Sequence, residues 1–252
     1  MSENSSNDVR IEIAVGSIAS AVAAERGGAA RVELCANLLE GGVTPSAGMI
    51  AAVRAAISIG LQVMIRPRGG DFSYDSDELD VMARDIAMAK SLGVDGVVLG
   101  ILTTSGRVDV DRTRRLVDLA RPLEVTFHRA FDMSVDLLES LEDVCATGAD
   151  RVLTSGGEAS CLGGMDTIAA LVKAARGRIA IMAGGGIRPE NAARIIAATG
   201  VRAVHSGLAT TMESPVAYRN SRVSIGKVQG REYELHTVTE ESVRQLRESI
   251  EG

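Results

Sequence analysis

The sequence predicts a single (β/α)8 barrel of the TIM-barrel type with a C-terminal extension, and three observations support this prediction. The chain has 252 residues, near the usual length of one such barrel. Eight short segments of strand type alternate with segments of helical period. The pattern Gly-x-x-x-Val recurs at Gly28, Gly93, Gly148 and Gly200, in steps of 65, 55 and 52 residues, or about two βα units each. Such a regular alternation favours a parallel sheet that closes into a barrel.

The predicted strands are short, and most of them have one continuous apolar face. They are Val9–Val15, Arg31–Cys35, Leu61–Arg66, Asp95–Leu99, the segment that begins at Leu123, Asp150–Thr154, Ile179–Ala183 and Val201–His205. A helix is expected after each of the first seven strands. Ser17 and Ser134 are the predicted N-caps of the first and fifth helices, and Cys161 lies near the start of the sixth. Pro189 suits the first position of the seventh helix.

The two ends of the chain differ from the regular middle. Residues 1–8 are polar and are predicted to be a disordered N-terminal tail, and residues 9–252 are predicted to form the TIM-barrel domain. The extension from about Ser221 to Gly252 is expected to hold a strand or hairpin and then a helix. The segment from Thr237 to Glu240 resembles a capping box for that helix. We expect this extension to close part of the barrel.

Composition excludes several classes of partner. The net charge of −6 argues against nucleic acid and anionic membranes. Aromatic residues make up 2% of the chain and Trp is absent, so stacking of bases on aromatic side chains is not expected. The three cysteines form no CxxC spacing and suit a reducing compartment. With no signal-peptide pattern and no apolar run of membrane-spanning length, the sequence predicts a cytoplasmic protein.

The alternation within each strand predicts what fills the barrel. Helices cover the outside, so the aliphatic face of each strand points outward and the other face points inward. The inward set is rich in ionisable groups and contains Glu12, Glu33, Cys35, Met64, Arg66, Thr126, His128, Met182, Gly184, Ala203 and His205. One interpretation is structural: Glu12 and Glu33 pair with Arg66 or Arg129. For Glu12 this interpretation is at least as strong as a catalytic one.

The fifth strand ends in His128, Arg129 and Asp132, at the barrel face where active sites of this architecture lie. This predicts an enzyme that acts on a small anionic or phosphorylated substrate by isomerase or lyase chemistry. His128 would be the acid or base, with Glu33 orienting it or sharing its role. Arg66 and Arg129 would hold the anion, and Asp132 would orient an arginine. A scaffold or interaction protein without chemistry is a further alternative.

Two glycine loops predict an anion site beside this chemistry. The loop Ser155, Gly156 and Gly157 follows the sixth strand. A second loop, Gly184, Gly185 and Gly186, follows the seventh strand, and Ser206 follows the eighth. Barrels of this type often bind phosphate near their last strands through backbone N–H groups. The alternative is that glycine is required only for tight turns.

A metal site is the other chemical prediction. Cys35, His128 and His205 are candidate ligands, and thiolate and imidazole together suit Cu(I). The alternative is that these side chains only pack or form hydrogen bonds.

Several blocks of sequence carry a family resemblance. They are Arg31–Cys35 (RVELC), Glu40–Pro45 (EGGVTP), Ile65–Phe72 (IRPRGGDF), Val125–Asp132 (VTFHRAFD), Arg151–Gly156 (RVLTSG) and Tyr218–Asn220 (YRN). With these blocks the chain resembles the CutC family over nearly its whole length. The resemblance implies a cytosolic TIM barrel, often a homo-oligomer, with a conserved polar site at the barrel mouth and a role in copper homeostasis. It implies copper as the cofactor or partner. Several relatives have Cys where this chain has Ala14, so a site with two thiolates on strands one and two is not available.

Overall fold

In the computed structural model, which describes residues 9–225 and 230–252, eight parallel strands form a closed barrel in chain order. The strands are β1 (Arg10–Val15), β2 (Arg31–Leu34), β3 (Gly60–Met64), β4 (Gly96–Leu99), β5 (Glu124–Phe127), β6 (Arg151–Thr154), β7 (Ala180–Gly184) and β8 (Ala203–Ser206). The predicted (β/α)8 TIM barrel is therefore confirmed. The predicted disordered tail, residues 1–8, lies outside the described residues.

Seven helices follow the first seven strands. They are α1 (Ile18–Arg26), α2 (Ala47–Ala56), α3 (Ser76–Ser91), α4 (Val110–Ala120), α5 (Leu137–Thr147), α6 (Met165–Ala175) and α7 (Pro189–Thr199). The recurring glycines lie at or just beyond the ends of α1, α3, α5 and α7, with φ angles of 91° at Gly28, 73° at Gly93, 82° at Gly148 and 73° at Gly200. These are left-handed values that favour glycine, which explains the recurrence.

The predicted cap of α1 is confirmed, but that of α5 is wrong. Ser17 accepts a hydrogen bond from the Ser20 amide at 3.1 Å. At α5 the cap is Asp136, whose carboxylate accepts from the amides of Leu138 and Glu139 at 2.9 and 3.0 Å. Ser134 lies two residues earlier, because a short 3-10 turn separates β5 from this helix.

The sixth helix begins later than predicted. Its first residue is Met165, and Cys161 lies in the preceding loop. The Cys161 thiol is buried and lies 3.8 Å from the Thr154 carbonyl oxygen. Residues 155–164 therefore form one long loop at the C-terminal end of β6.

The C-terminal extension completes the barrel. After β8 come two antiparallel strands, β9 (Thr210–Glu213) and β10 (Glu234–Thr237), and then α8 (Glu240–Glu251). Helix α8 packs between α7 and α1 and so takes the place of the eighth barrel helix. Its N-cap is Thr239, which accepts from the Ser242 amide at 3.2 Å, so the predicted cap at Thr237 is wrong. No described helix is long and apolar enough to cross a lipid bilayer.

The strands divide their side chains as the alternation predicts. Outward residues such as Ile13, Val32 and Phe127 are fully buried under the helices and form the main core. Inside the barrel, two small apolar clusters are separated by charged groups. The clusters are Cys35 with Met64 and Val98, and Leu153 with Met182 and Ala203. The polar side chains between them form the site.

Candidate active site

A pocket of about 510 Å³ opens at the C-terminal ends of the strands. Residues from almost every strand end contribute to it, among them Glu33, Met64, Arg66, Phe72, His128, Arg129, Asp132, Gly185, Gly186, Arg188 and His205. Of the predicted catalytic residues, all five line this one pocket: Glu33, Arg66, His128, Arg129 and Asp132. We call this pocket the mouth.

His128 is buried in the wall of the mouth and is neutral. Its Nδ1 accepts a hydrogen bond from the Ala130 amide at 3.1 Å. Burial and the positive charge of Arg66 lower the pKa of His128 to about 3. A neutral imidazole that accepts at Nδ1 carries its proton on Nε2. That Nε2 atom is buried and has no hydrogen-bond partner among the described residues.

The space for this imidazole depends on a neighbouring glycine. A Cβ atom at Gly100 would lie 2.5 Å from His128 Nδ1 and 3.0 Å from the Ala130 Cβ. On another side, the ring of Phe72 has its centroid 5.0 Å from that of His128. His128 is therefore held in one orientation, with Nε2–H as its unused donor.

Arg66 forms hydrogen bonds to two loops at the mouth. Its Nη1 donates to the carbonyl oxygens of Glu40 and Gly42 at 2.8 and 2.9 Å, and its Nη2 to that of Gly70 at 2.8 Å. The guanidinium also lies 4.8 Å from the Phe72 ring centroid. Of its three nitrogens, the buried Nε is the one without a hydrogen-bond partner in the described part of the chain. Its contacts thus position two loops, and its role as an anion holder stays a prediction.

Asp132 organises the loop after β6. Its carboxylate accepts from the amides of Ser155 at 3.0 Å and Gly157 at 3.1 Å, and from Arg129 Nε at 2.7 Å. The third amide of the loop, Gly156, donates to Thr154 Oγ1 at 2.9 Å. An internal carboxylate thus occupies the loop that was predicted to bind a ligand anion through Ser155, Gly156 and Gly157, and this corrects that prediction. The expectation that Asp132 orients an arginine agrees with this geometry.

The second glycine loop faces the mouth. Gly185 and Gly186 line it, with φ angles of 118° and 74°. A Cβ atom at Gly185 would lie 3.5 Å from Nη1 of Arg129, so this guanidinium passes directly over the loop. Ser206 is buried, and its hydroxyl donates to the Ile187 carbonyl at 2.7 Å. An anion-binding role for Gly184, Gly185, Gly186 and Ser206 stays a prediction.

Strand register builds a charged network below the mouth. Glu12 on β1 lies between Arg31 on β2 and His205 on β8 in the same layer. It forms a salt bridge with Arg31, and its Oε1 lies 2.7 Å from His205 Nδ1. His205 Nε2 lies 3.8 Å from Glu33 Oε2, and the Cys35 Sγ lies 3.5 Å from the same oxygen. The partner of Glu12 is thus Arg31, which corrects the expected pairing with Arg66 or Arg129.

The pKa values follow from burial and from these neighbours. Burial alone would raise the pKa of Glu12, but the hydrogen bond from His205 and the charge of Arg31 lower it to about 2. Burial alone would lower the pKa of His205, but the charge of Glu33 and the bond to Glu12 raise it. Burial raises the pKa of Glu33, whose Oε1 has no hydrogen-bond partner in the described part of the chain. Glu33 is therefore suited to exchange a proton.

Comparison with known proteins places this chain in a family. The family model described as CutC matches residues 9–210. The chain belongs to the CutC family. A CutC family protein of Chromobacterium violaceum is 47% identical over 97% of this chain and 99% of its own length. A human protein named copper homeostasis protein cutC homolog is 45% identical over 95% of this chain and 88% of its own length.

Solved structures agree with the fold. A structure named for a copper homeostasis protein CutC of Streptococcus agalactiae matches with a TM-score of 0.75 and 36% identity, over 78% of this chain and 97% of that one. A thiamine phosphate pyrophosphorylase of Pyrococcus furiosus matches with a TM-score of 0.60 and 17% identity, over 97% of this chain and 96% of that one. The second likeness concerns the barrel fold alone.

The donors at the mouth fit a resident copper ion poorly. In residues 9–225 and 230–252, one group of three or more His, Cys, Asp or Glu side chains has all its ligand atoms within 4.8 Å: Glu12, Glu33 and His205. The predicted set of Cys35, His128 and His205 is not brought together in this way. Both oxygens of Glu12 are already used. Burial and the charge of Glu33 raise the pKa of the Cys35 thiol well above its ordinary range, whereas Cu(I) prefers thiolate.

Sequence reasoning missed two buried arginines. Arg31 and Arg151 are the first residues of β2 and β6, and both point into the barrel. The alternation within the strands could have shown this: Arg31 lies on the same face of β2 as the inward-pointing Glu33, and Arg151 on the same face of β6 as Leu153.

Proposed function

We propose that this family member is an enzyme that acts on a small anionic carbonyl or sugar-like substrate by proton transfer at the mouth. One observation supports the proposal most: three residues that line the same pocket, His128, Glu33 and Arg66, each have a buried polar atom (Nε2, Oε1 and Nε) with no partner among the described residues. Buried polar groups are nearly always hydrogen-bonded, so three residues with such unpartnered atoms around a single pocket suit contact with a substrate.

The roles follow from protonation. His128 is neutral and offers Nε2–H, so it would donate a hydrogen bond to the substrate carbonyl oxygen as negative charge develops there. This refines the predicted acid or base role of His128 to that of a donor. Glu33 would take the proton from the carbon next to the carbonyl and return it to a neighbouring atom. Return of the proton to a neighbouring atom would make the protein an isomerase. Departure of a leaving group after proton removal would make it a lyase.

The anionic part of the substrate would lie against Arg129. Its Nε and Nη2 contact Asp132 and Ser155, which leaves Nη1 without a hydrogen bond to any described residue, over Gly185. Arg188 stands exposed on the same rim. A guanidinium fixed on one side and open on the other suits a carboxylate or phosphate.

Solvent exchange tests this proposal directly. The chain is incubated in D2O with a panel of phosphorylated and carboxylated aldehydes and ketones, and NMR follows deuterium entering the carbon next to the carbonyl. We expect Glu33→Gln to slow exchange by about 10²-fold or more. His128→Ala should also slow it, while His236→Ala, an exposed histidine on β10, should not. Absence of exchange with every compound, or equal rates in Glu33→Gln and wild type, would rule out this chemistry.

A second candidate function is the handling of Cu(I) as a cargo. Its support is the copper-homeostasis name of relatives at 45–46% identity, together with Cys35, which shares a buried cluster with Met64 and whose Sγ lies 3.5 Å from Glu33 Oε2. An anaerobic Cu(I) titration against a competing chelator tests it, with Cys35→Ala as the variant. Cys145→Ala, on α5, is the matched control. Equal affinity in wild type and Cys35→Ala would remove this candidate. Cytoplasmic location and homo-oligomerisation stay predictions.

A further inference from the structure

Every polar side chain that lines the mouth is of an ionisable type. These side chains are Glu33, Glu40, Arg66, His128, Arg129, Asp132, Arg188 and His205. Among the described residues that form the lining, none is Ser, Thr, Tyr, Asn or Gln. Hydroxyl and amide side chains can both donate and accept, which makes them suitable partners for the hydroxyl groups of a sugar. The mouth therefore lacks the neutral partners that a substrate with many hydroxyl groups would need.

The carboxylates and the imidazole of this lining do not replace those partners. Asp132 already accepts from two loop amides and a guanidinium. The Glu40 carboxylate packs against Gly69, outside the lining, where a Cβ atom would overlap it. The atoms left without partners at His128 and Glu33 are those that the proposed proton transfer uses. Since a hydroxyl buried without a hydrogen bond weakens binding, a sugar-like body fits this pocket poorly.

One side of the mouth is largely apolar. Four of its residues come from β1 to β3 or from the loops that follow these strands: Ala14, Leu38, Met64 and Phe72. We call these four residues the apolar wall. Arg66 lies on the same side, but the Phe72 ring centroid is 4.8 Å from its guanidinium, and three loop carbonyls accept from its Nη atoms. The polar atoms of Arg66 thus serve mainly the loops.

Two cationic groups lie across the barrel from the apolar wall. The Arg129 guanidinium passes over Gly185, just after β7, and Arg188 belongs to the loop that follows the same strand. In a closed sheet of eight strands in chain order, β6 and β7 lie opposite β2 and β3. A ligand whose anionic end contacts Arg129 therefore directs its other end toward the apolar wall.

We propose that the substrate of the mouth is an organic anion with an alkyl or aryl body. Its carboxylate or phosphate head contacts Arg129, and its body packs against Leu38, Met64 and Phe72. Leu38 is 37% exposed, so such a body would remove it from water, and each methylene that the ligand buries strengthens binding about fourfold. The inference rests on the function proposed above and narrows its substrate class, because it removes sugar-like compounds.

Calorimetric titration of the full chain with two matched pairs of anions tests the inference. Hexyl phosphate is paired with sorbitol 6-phosphate, and hexanoate is paired with gluconate. The members of each pair have the same carbon chain and the same head and differ only in their hydroxyl groups. We expect the alkyl member of at least one pair to bind about tenfold more tightly than its hydroxylated partner, or more. Equal or tighter binding of both hydroxylated compounds, or no binding of either alkyl anion, would overturn the inference.

Three variants locate the ligand. Leu38→Asn should lower the preference for the alkyl compound about fourfold or more. Leu39→Asn is its matched control, because Leu39 is the next residue, is 60% exposed and does not belong to the lining, and it should keep the wild-type preference. Arg129→Gln should weaken both members of a pair by about tenfold. An unchanged preference in Leu38→Asn, or unchanged alkyl affinity in Arg129→Gln, would place the ligand elsewhere and refute the inference.

These binding results are independent of the deuterium-exchange assay. If no compound exchanges deuterium but the alkyl preference is observed, the proposed enzyme fails and the ligand class stands. If hydroxylated carbonyl compounds exchange deuterium and the alkyl preference is absent, the enzyme stands and the ligand class is wrong.

Discussion

Replacement of Asp132 by Asn tests how strongly one carboxylate holds the mouth together. The Oδ1 atom of Asp132 accepts from Thr154 Oγ1 at 2.5 Å and from the Gly157 amide at 3.1 Å. Its Oδ2 atom accepts from Arg129 Nε at 2.7 Å and from the Ser155 hydroxyl at 3.0 Å. The Gly157 amide and Arg129 Nε can only donate, so the amide nitrogen of Asn would face a donor at either oxygen position.

The expected cost follows from this count. Whichever oxygen of Asp132 becomes the amide nitrogen, two hydrogen bonds are disrupted: one from a buried residue, Thr154 or Ser155, and one from a more exposed residue, Gly157 or Arg129. Each unmade bond costs about 1–3 kcal/mol, so we expect Asp132→Asn to lose about 3 kcal/mol of unfolding free energy. For a chain of this length, that corresponds to a Tm about 6–12 °C lower. Phosphate or carboxylate affinity at the mouth should fall too, because Arg129 loses its fixed orientation.

Differential scanning calorimetry measures the change, and the same region offers a matched control. Asp136 also accepts two backbone amides, but as an exposed helix N-cap, where Asn serves as well as Asp. Asp136→Asn should therefore leave Tm within about 2 °C of wild type. If the Tm of Asp132→Asn equals that of Asp136→Asn and of wild type, the carboxylate of Asp132 does not hold the loop and the reasoning is refuted.

Three other predictions concern buried groups. Glu12→Gln should cost about 3–5 kcal/mol, because it leaves Arg31 buried without its anion. The pKa of Glu12 is about 2 in the folded protein against 4.5 ordinarily, so its contribution to stability is complete above pH 4.5 and is lost as the pH falls toward 2. Between pH 4.5 and 2, the Tm of Glu12→Gln should therefore fall less steeply than the Tm of wild type. Nitrogen NMR of His128 should show the Nε2–H tautomer with no titration between pH 5 and 8; a midpoint near 6.5 would contradict its burial. Gly100→Ala should cost about 1–3 kcal/mol by displacing this imidazole, while Gly48→Ala on α2, with only a distant contact, should be neutral by thermal melting.

The sequence was sufficient for the fold because its signals are local. Left-handed glycines end the helices, and the alternation within strands decides which side chains enter the barrel. This is why the sequence could place Glu33 and His128 inside the barrel, where both line the mouth. The caps of α5 and α8 were misplaced by two residues, since several Ser, Thr and Asp residues compete at each of those helix starts.

The partners inside the barrel could not be predicted in the same way. Glu12 meets Arg31 and His205 because the register of β1 against β2 and β8 puts all three in one layer, and register is a property of the closed sheet. Likewise, Asp132 fills the loop at Ser155 only because a 3-10 turn after β5 directs its carboxylate there. An anion-binding loop and a loop occupied by its own carboxylate have the same glycine pattern.

The layer formed by Glu12, Arg31 and His205 also connects the two ends of the barrel. One oxygen of Glu12 contacts Arg31, which begins β2 at the opposite end of the barrel, and the other contacts His205, which lines the mouth beside Glu33. Each contact keeps the carboxylate of Glu12 ionised. If one contact is weakened, the ionisation of Glu12 depends more strongly on the other. The ionised Glu12 in turn favours the charged form of His205, and the charge of His205 favours the ionised form of Glu33 at the mouth.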